Sequence, residues 1–564
     1  MPRQVAKPMS QTKVNVSVCL AAVIAGGAMW FGNVGSTFNS VPDLFSTIFT
    51  SFKETELFPY KCKSPDGSED FNLLKELMDR GGAIVDAVGL GTFDGIRGLQ
   101  ALRPIPKGQV IVALPYTFSL SVATITASSQ AGQAAARWRY MPDGDMHLDT
   151  LALIYEAHVR GAKSPWKNYF CTLPKEYDLP LLYNDAWSKE FLAALPDFNR
   201  FVNKRRAELA TFEGATRTAL QQMPGGSALL KNISRAEFSD LHTKSYLAAK
   251  TRTLTWDMEE AGENKFKLNL PSSLAWLEEV GFMVPILDMA NHASKEAANA
   301  AFTIDYTGSH IRKDLGGLSS LGDERPARAN QNSNKASKGR GMPTFSLIAQ
   351  KDIQSGEQIT FPYLPEDDIH PQCNDRWLLE YGIVQHDGHP MRDCYAFNVT
   401  VADLVRVTKG PQEADDGQQQ VAEAQSHVQQ TLKAARAFPW ITVRLVRSGI
   451  PSKPLLDDDE SMGLKMLLQW ATAALEGDAA QARSVACVLL KEQAARLDQQ
   501  LAHMQELATA MDAEESKADT EGGEVKSEGA GGGRLSRSRR ADLLQVLRGA
   551  ARAAHDGPAH LGCA

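Results

Sequence analysis

The sequence predicts an α+β fold, with small curved β-sheets interrupted by a helical insert and followed by an all-helical C-terminal domain. Three observations carry this reading. A strand, tight turn and strand are written twice, at 98–114 and at 345–361, each time with a glycine, Gly108 or Gly356, closing the turn. Between the two copies, the stretches 150–160, 187–195, 201–212 and 239–256 have helical periodicity or composition. Beyond about residue 410 the helical pattern takes over, at 418–437, 461–476, 479–511 and 539–554, with an acidic, glycine-rich break at 513–533.

The first 42 residues contain Arg3, Lys7 and Lys13 but no acidic residue, and 16–31 is an almost unbroken apolar run. This length sits at the lower limit for a membrane-spanning helix, so the run reads as an anchor, as an organellar targeting segment or as a buried terminal helix. A short amphipathic helix follows at 71–78 and a strand at 83–88. Gly89, Gly91 and Gly95 mimic a dinucleotide-binding loop, but the third glycine comes one place late and Pro104 and Pro106 prevent the helix that such a loop requires. The polar stretch at about 308–342 reads as a mobile loop whose lysines and arginines are solvated or, as the alternative, touch an acidic partner. A partner surface of weak coiled-coil character is open along 479–511, and a disordered segment is expected at about 513–535.

Composition excludes several classes. The chain has 564 residues, 43% of them hydrophobic, enough for two or three domains without disulfide or metal support. A formal net charge of -7 provides no chain-wide basic field, so nucleic acid is not expected as a partner. The seven cysteines lack C-x-x-C pairs and histidines at zinc-finger spacing, which argues against a structural metal and for a reducing compartment.

Five motifs in order then resemble the SET-domain protein methyltransferases, specifically the class of the Rubisco large-subunit lysine methyltransferase. They are Ile96-Arg97-Gly98-Leu99 with its Pro106-Lys107-Gly108 turn, Ser164 to Pro174, Thr251-Arg252-Thr253, Val284-Pro285 with Asp288 and Asn291-His292, and Gly356-Glu357 with Tyr363 and Tyr381-Gly382. The resemblance implies a SET domain at 61–405 with a helical insert at about 125–280. It also implies a helical substrate-binding-like domain at 406–564 after an N-terminal segment and linker at 1–60. Its active site is knot-like: the Asn-His segment passes close to the later strand and to the Tyr-Gly segment.

The cofactor implied is S-adenosyl-L-methionine. Asn291 would hydrogen-bond its amino-acid end, His292 would contact the adenine through its backbone, and Arg252 would pair with its carboxylate. Asp288 and the backbone around Ile96, Arg97 and Leu99 complete the cofactor set. Tyr363 would orient the acceptor amine, with Tyr381 as an aromatic wall or second hydroxyl, and both border the cofactor. The transfer is an in-line displacement that needs no covalent nucleophile.

The implied function is protein-lysine N-methylation of a non-histone substrate by a monomer with no metal. Two alternatives stay open: methylation of a protein histidine, and an inactive SET scaffold that binds a protein partner. The family prefers Asn or Asp after the catalytic Tyr, where this chain has Leu364-Pro365-Glu366, and Pro362 removes a strand donor beside Tyr363. The compartment follows the fate of 16–31: a chloroplast-like organelle, a membrane surface or, failing both, the cytoplasm.

Overall fold

The computed structural model describes residues 61–563 apart from 94, 142–143, 145, 259–267, 269, 307–341, 364–372, 385–391, 410–417, 435–439, 449–461 and 521–534. The apolar run at 16–31, nearly all of the loop expected at 308–342, and Leu364 to Glu366 lie outside the described residues. Among the described residues, no helix is long and apolar enough to cross a membrane.

Helix α1 (Ser68–Arg80) leads into strands β1 (Val88–Phe93), β2 (Ile96–Ala101) and β3 (Val110–Pro115). The insert contributes α2 (Ser128–Ala134), α3 (Met146–Ile154), α4 (Ala186–Ala194), α5 (Pro196–Gln222), α6 (Gly226–Asn232) and α7 (Arg235–Arg252). Strands β4 (Thr253–Asp257), β5 (Glu279–Met283), β6 (Asn291–His292), β7 (Ala300–Asp305), β8 (Thr344–Ala349) and β9 (Gln358–Phe361) follow, then helix α8 (Asn374–Tyr381).

The two strand–turn–strand units are not hairpins, although their local sequence suits one. Instead they pair with each other. In one sheet the order is β1-β2-β9-β6, and in another it is β3-β8-β7. Thus β2 runs antiparallel to β9, while β3 runs antiparallel to β8. The two turns meet between the sheets, where the Ile105 and Ile353 backbones exchange hydrogen bonds of 2.8 and 2.9 Å. Pro104 and Pro106 turn the chain out of the first sheet, and Gly108, at φ 83°, admits it to the second.

The helix expected to reach residue 256 ends at Arg252. A capping box of Ser234 and Glu237 starts α7, but the β-branched Thr253 and Thr255 then leave it for β4, which pairs with β5.

The helical C-terminal domain is present, with α9 (Val401–Lys409), α10 (Gln418–Ala434), α11 (Met462–Ala474), α12 (Ala479–Thr520) and α13 (Arg537–His560), and it also holds an antiparallel ribbon of β10 (Arg392–Thr400) and β11 (Trp440–Ser448). Helix α12 continues past the break expected at 513 because its acidic residues find partners. The Arg540 side chain, 1% exposed, pairs with Asp512 and, at 2.9 Å, with Glu515, while Arg537 reaches Asp512 at 2.9 Å. The apolar stripe of α12, including Val485, Leu489, Leu490 and Leu497, is buried in the C-terminal core, so these residues are not an open coiled-coil face.

The buried apolar residues form two cores. One unites β1 to β5 and β7 to β9 with α2, α3 and α7; the other unites the C-terminal domain with residues 179–202 of the insert. Helix α8 gives Leu378 and Leu379 to the second core.

Six of the seven cysteines are paired, as Cys62–Cys171, Cys373–Cys394 and Cys487–Cys563, with Cα separations of 5.6, 5.5 and 5.7 Å. Partners 109, 21 and 76 positions apart carry no short-range spacing signal, and only the fold brings them together.

The insert buries two imidazoles side by side. His147 stacks on Phe212 and lies parallel to His242 at 6.5 Å, and Thr216 shares a 3.2 Å hydrogen bond with His242. Burial holds both rings neutral, pushing His147 down to about 2 and His242 down to about 3. The unfolded chain therefore binds more protons than the folded one below the ordinary histidine value. Stability supplied by this pair is complete above about pH 7 and declines as the pH falls below roughly 6.5. We expect urea unfolding to report a loss of about 2 kcal/mol per histidine between pH 7 and 5. The double variant His147→Phe, His242→Phe should flatten that dependence; an unchanged slope would show the pair to be irrelevant.

Candidate active site

The site forms where β6 lies parallel to β9, with Asn291 opposite Thr360 and His292 opposite Phe361. A tight turn at Leu287–Met289 delivers β6, and the residue before it, Ile286, has φ 69°. That conformation is costly for a β-branched side chain, so the surrounding packing must impose it. The consequence is that Asp288 points inward, its side chain 1% exposed.

Arg252, the last residue of α7, meets Asp288 there. Its guanidinium donates to the Asp288 carbonyl at 3.1 Å and pairs with the carboxylate at 3.4 Å, while the Tyr169 hydroxyl donates to the same carboxylate. Burial pushes the Asp288 carboxyl above its ordinary value, against the opposing pull of Arg252 and Tyr169. Burial would lower the guanidinium too, but Asp288 and the neighbouring tyrosines outweigh it and hold Arg252 charged. Two donors remain in hand here: Arg252 Nε and the Tyr177 hydroxyl are buried without a hydrogen-bond partner among the described residues.

Asn291 donates to the Arg97 carbonyl at 3.1 Å. This approach depends on Gly98, where an added Cβ would lie 2.6 Å from the Asn291 side-chain nitrogen. Arg97 thus presents its carbonyl to the site while its side chain binds the Asp66 carbonyl at 3.0 Å and the Thr172 carbonyl. Leu99 is fully buried and Ile96 is 64% exposed at the outer end of β2. Neither side chain joins the polar cluster.

His292 uses its ring. Nδ1 accepts from the Tyr363 amide at 3.2 Å, and the imidazole packs 4.3 Å from Trp377 and 5.3 Å from Tyr363. The Tyr363 hydroxyl donates to the Ala290 carbonyl at 3.0 Å, and its ring lies 5.5 Å from that of Tyr381. Tyr381 is the last residue of α8 and packs 5.0 Å from Trp377, one helical turn earlier. Pro362 falls just after β9 has ended at Phe361, so its missing N–H costs the ladder nothing.

Burial pushes the Tyr363 phenol up and the Tyr381 phenol up to about 12. Both therefore stay protonated at neutral pH and act as dipoles and hydrogen-bonding groups, with no part as phenolate bases. The arrangement offers a cationic corner at Arg252 and an aromatic corner at Tyr363, Tyr381 and Trp377.

Sequence reasoning placed Arg252, Asp288, Asn291, His292, Tyr363 and Tyr381, and the fold gathers all six. It missed Tyr169 and Trp377. Tyr169 stood inside a quoted motif without a role, and the four-residue spacing of Trp377 from Tyr381 was the available signal for a shared helical face.

Residues 96–364 match the family model described as SET domain. The mouse SET domain-containing protein 4 is 34% identical over 115 residues, 20% of this chain and 25% of that protein. The human SET domain-containing protein 4 is 25% identical over 217 residues, 38% of this chain and 45% of that protein. This chain thus spans less than half the length of the curated relatives it matches. Among solved structures, the SET domain of LSMT bound to lysine and AdoHcy aligns with a TM-score of 0.48 at 15% identity, covering 88% of this chain and 91% of that one.

Removing the Asp288 carboxylate would leave Arg252 buried and, among the described residues, without an acidic partner. We expect Asp288→Ala to cost about 3–5 kcal/mol in urea unfolding, and the double variant with Arg252→Met to regain most of it. Equal losses in the single and double variants would mean that the pair is not coupled.

Proposed function

We propose that this chain, whose residues 96–364 match the SET domain model, is an S-adenosyl-L-methionine-dependent protein-lysine N-methyltransferase. The observation that carries the reading is the Tyr363 hydroxyl, held by the Ala290 carbonyl inside an aromatic corner at the junction of β6 and β9. A non-histone substrate is part of the proposal and rests on the class of methyltransferase that the motifs resemble.

The residues present fit the cofactor. Arg252 Nε and the Tyr177 hydroxyl are buried donors without partners among the described residues, as a carboxylate-binding corner requires. Arg252, Asn291, His292 and the backbone of Arg97 to Leu99 would hold S-adenosyl-L-methionine, with Asp288 fixing the Arg252 guanidinium. When bound, this cofactor supplies a methyl group on a positively charged sulfonium.

The chain's own contribution is to deliver a neutral amine in line. A free lysine has a pKa of about 10.4, so roughly 0.4% is neutral at pH 8, and an apolar channel beside a positive charge pushes that value down. Tyr363 spends its proton on Ala290, which leaves the lone pairs of its oxygen to accept an amine N–H. The Tyr381 and Trp377 rings exclude water and offer their faces to the charge that develops on nitrogen. Because both phenols stay protonated, the amine has to lose its proton before attack, to solvent or to a group outside this pair.

In the full-length protein, methyl transfer from labelled S-adenosyl-L-methionine into an extract of the source cells should fall about a hundredfold in Tyr363→Phe. Acid hydrolysis of the labelled band should yield methyl-lysine. Methyl-histidine would move the acceptor, and cofactor binding without any transfer would favour a scaffold.

We further propose folding in an oxidising compartment, supported by the three disulfides, with the apolar run at 16–31 as the targeting or anchor segment. Peptide mapping after alkylation without reductant should recover three linked pairs, with Cys19 the alkylated thiol wherever 16–31 is retained. Alkylation at the other six would overturn this.

A further inference from the structure

We propose that Arg539, at the start of the last helix, is a positioning residue of the active site, holding together two of its walls, the one that carries Tyr381 and the one that carries Tyr177. Its effect on turnover rests on the methyltransferase reading; its effect on the walls does not.

The Arg539 side chain is 8% exposed, and the Ser536 hydroxyl accepts its backbone N–H at 3.2 Å, which fixes it in the first turn of α13. From there the guanidinium reaches in three directions. One terminal nitrogen donates to the Gly382 carbonyl at 2.8 Å, the other donates to the Asp178 carbonyl at 2.6 Å, and Nε donates to the Tyr183 hydroxyl at 3.0 Å while lying 3.1 Å from the Asp178 carboxylate.

These acceptors belong to the segments that carry site residues. Gly382 directly follows Tyr381, whose ring faces Tyr363. Asp178 directly follows Tyr177, whose buried hydroxyl feels the charges of Arg252, Asp288 and Arg97. The two segments touch at their backbones. Gly382 has φ 71°, and an added Cβ would lie 3.0 Å from the Asp178 carbonyl and 3.5 Å from the Arg539 guanidinium. Two carbonyls pointing into one small space repel each other unless a cation sits between them, and the guanidinium occupies that place.

A second arginine separates this role from plain stabilisation. Arg206 holds the neighbouring carbonyls of Pro180, Leu181 and Tyr183 at 3.0, 3.0 and 2.7 Å, so the turn at 180–183 is already secured from the insert. Of the two, Arg539 alone also binds the helix end that bears Tyr381. A lysine could satisfy one or two of these acceptors, but only a planar fork serves them all.

The test compares the full-length protein with Arg539→Met and Arg539→Lys by amide hydrogen exchange. It adds S-adenosyl-L-homocysteine binding by calorimetry and label incorporation into source-cell extract at saturating cofactor. In Arg539→Met we expect exchange within 374–384 to quicken about tenfold while 344–349 is unchanged, because the opening is local. Incorporation should drop about tenfold, with the dissociation constant altered by less than about threefold, and Arg539→Lys should fall between. If Arg539→Met does not fold, Arg539→Lys carries the same signs at smaller size.

Unaltered exchange at 374–384 would overturn the clamp. Exchange that quickens equally at 344–349, or incorporation unchanged once 374–384 has loosened, would reduce Arg539 to a structural residue. If the unsubstituted protein neither binds S-adenosyl-L-homocysteine nor transfers label, the methyltransferase reading fails, and the exchange arm still decides whether the clamp exists.

Discussion

The architecture depends on a parallel pairing only two residues long. β6 against β9 is too short to persist alone, and the segment joining its strands must pass through β7 and β8 before returning. Asn299 makes it hold. Its side chain donates to the Gln358 carbonyl at 2.8 Å and accepts from the Thr360 amide at 3.0 Å, acting as a further strand residue beside β9. The Ala293 amide adds a bond to the Phe361 carbonyl at 3.2 Å. With β9 fixed, the next residues in the chain bring Tyr363 over His292.

Around this junction, a buried charge pair and an aromatic group lie side by side. Arg252 and Asp288 share one buried corner with Tyr169, where desolvation would be prohibitive for either charge by itself. Tyr363, Tyr381 and Trp377 line the other, and the two tyrosine hydroxyls are held neutral by burial. A cationic donor group bound between the corners would face rings on one side and a charged clamp on the other, a division of labour that one uniform pocket would not give.

Much of the site was legible because its residues fall in short motifs with fixed order: Asp288 to His292, Gly356 to Tyr363, Tyr381-Gly382. The strand–turn–strand units were legible as elements, but their pairing was not. A turn of prolines and glycine looks the same whether it folds two strands together or passes the chain between sheets, and only long-range pairing decides. The disulfides were hidden for a similar reason. The end of α7 at Arg252 was missed because β-strand pairing with β5 overrode the helical pattern that ran on to Trp256. Trp377 and Tyr169 went unassigned because an aromatic side chain in an apolar pattern looks like core until its neighbours are known.

The exchange of strands between the two units also sets an order of events during synthesis. β2 and β3 leave the ribosome early, but their partners β9 and β8 come roughly 230–260 residues later, a wait of about 10–50 s at ordinary elongation rates. During that interval β2 and β3 each stand with an unpaired edge. The helical insert emerges in the gap, and its α3 and α7 pack into the same core as β2 and β3. It can shelter that surface as a built-in chaperone until the second unit arrives, which gives the interruption of the sheets by helices a use in the growing chain as well as in the finished one.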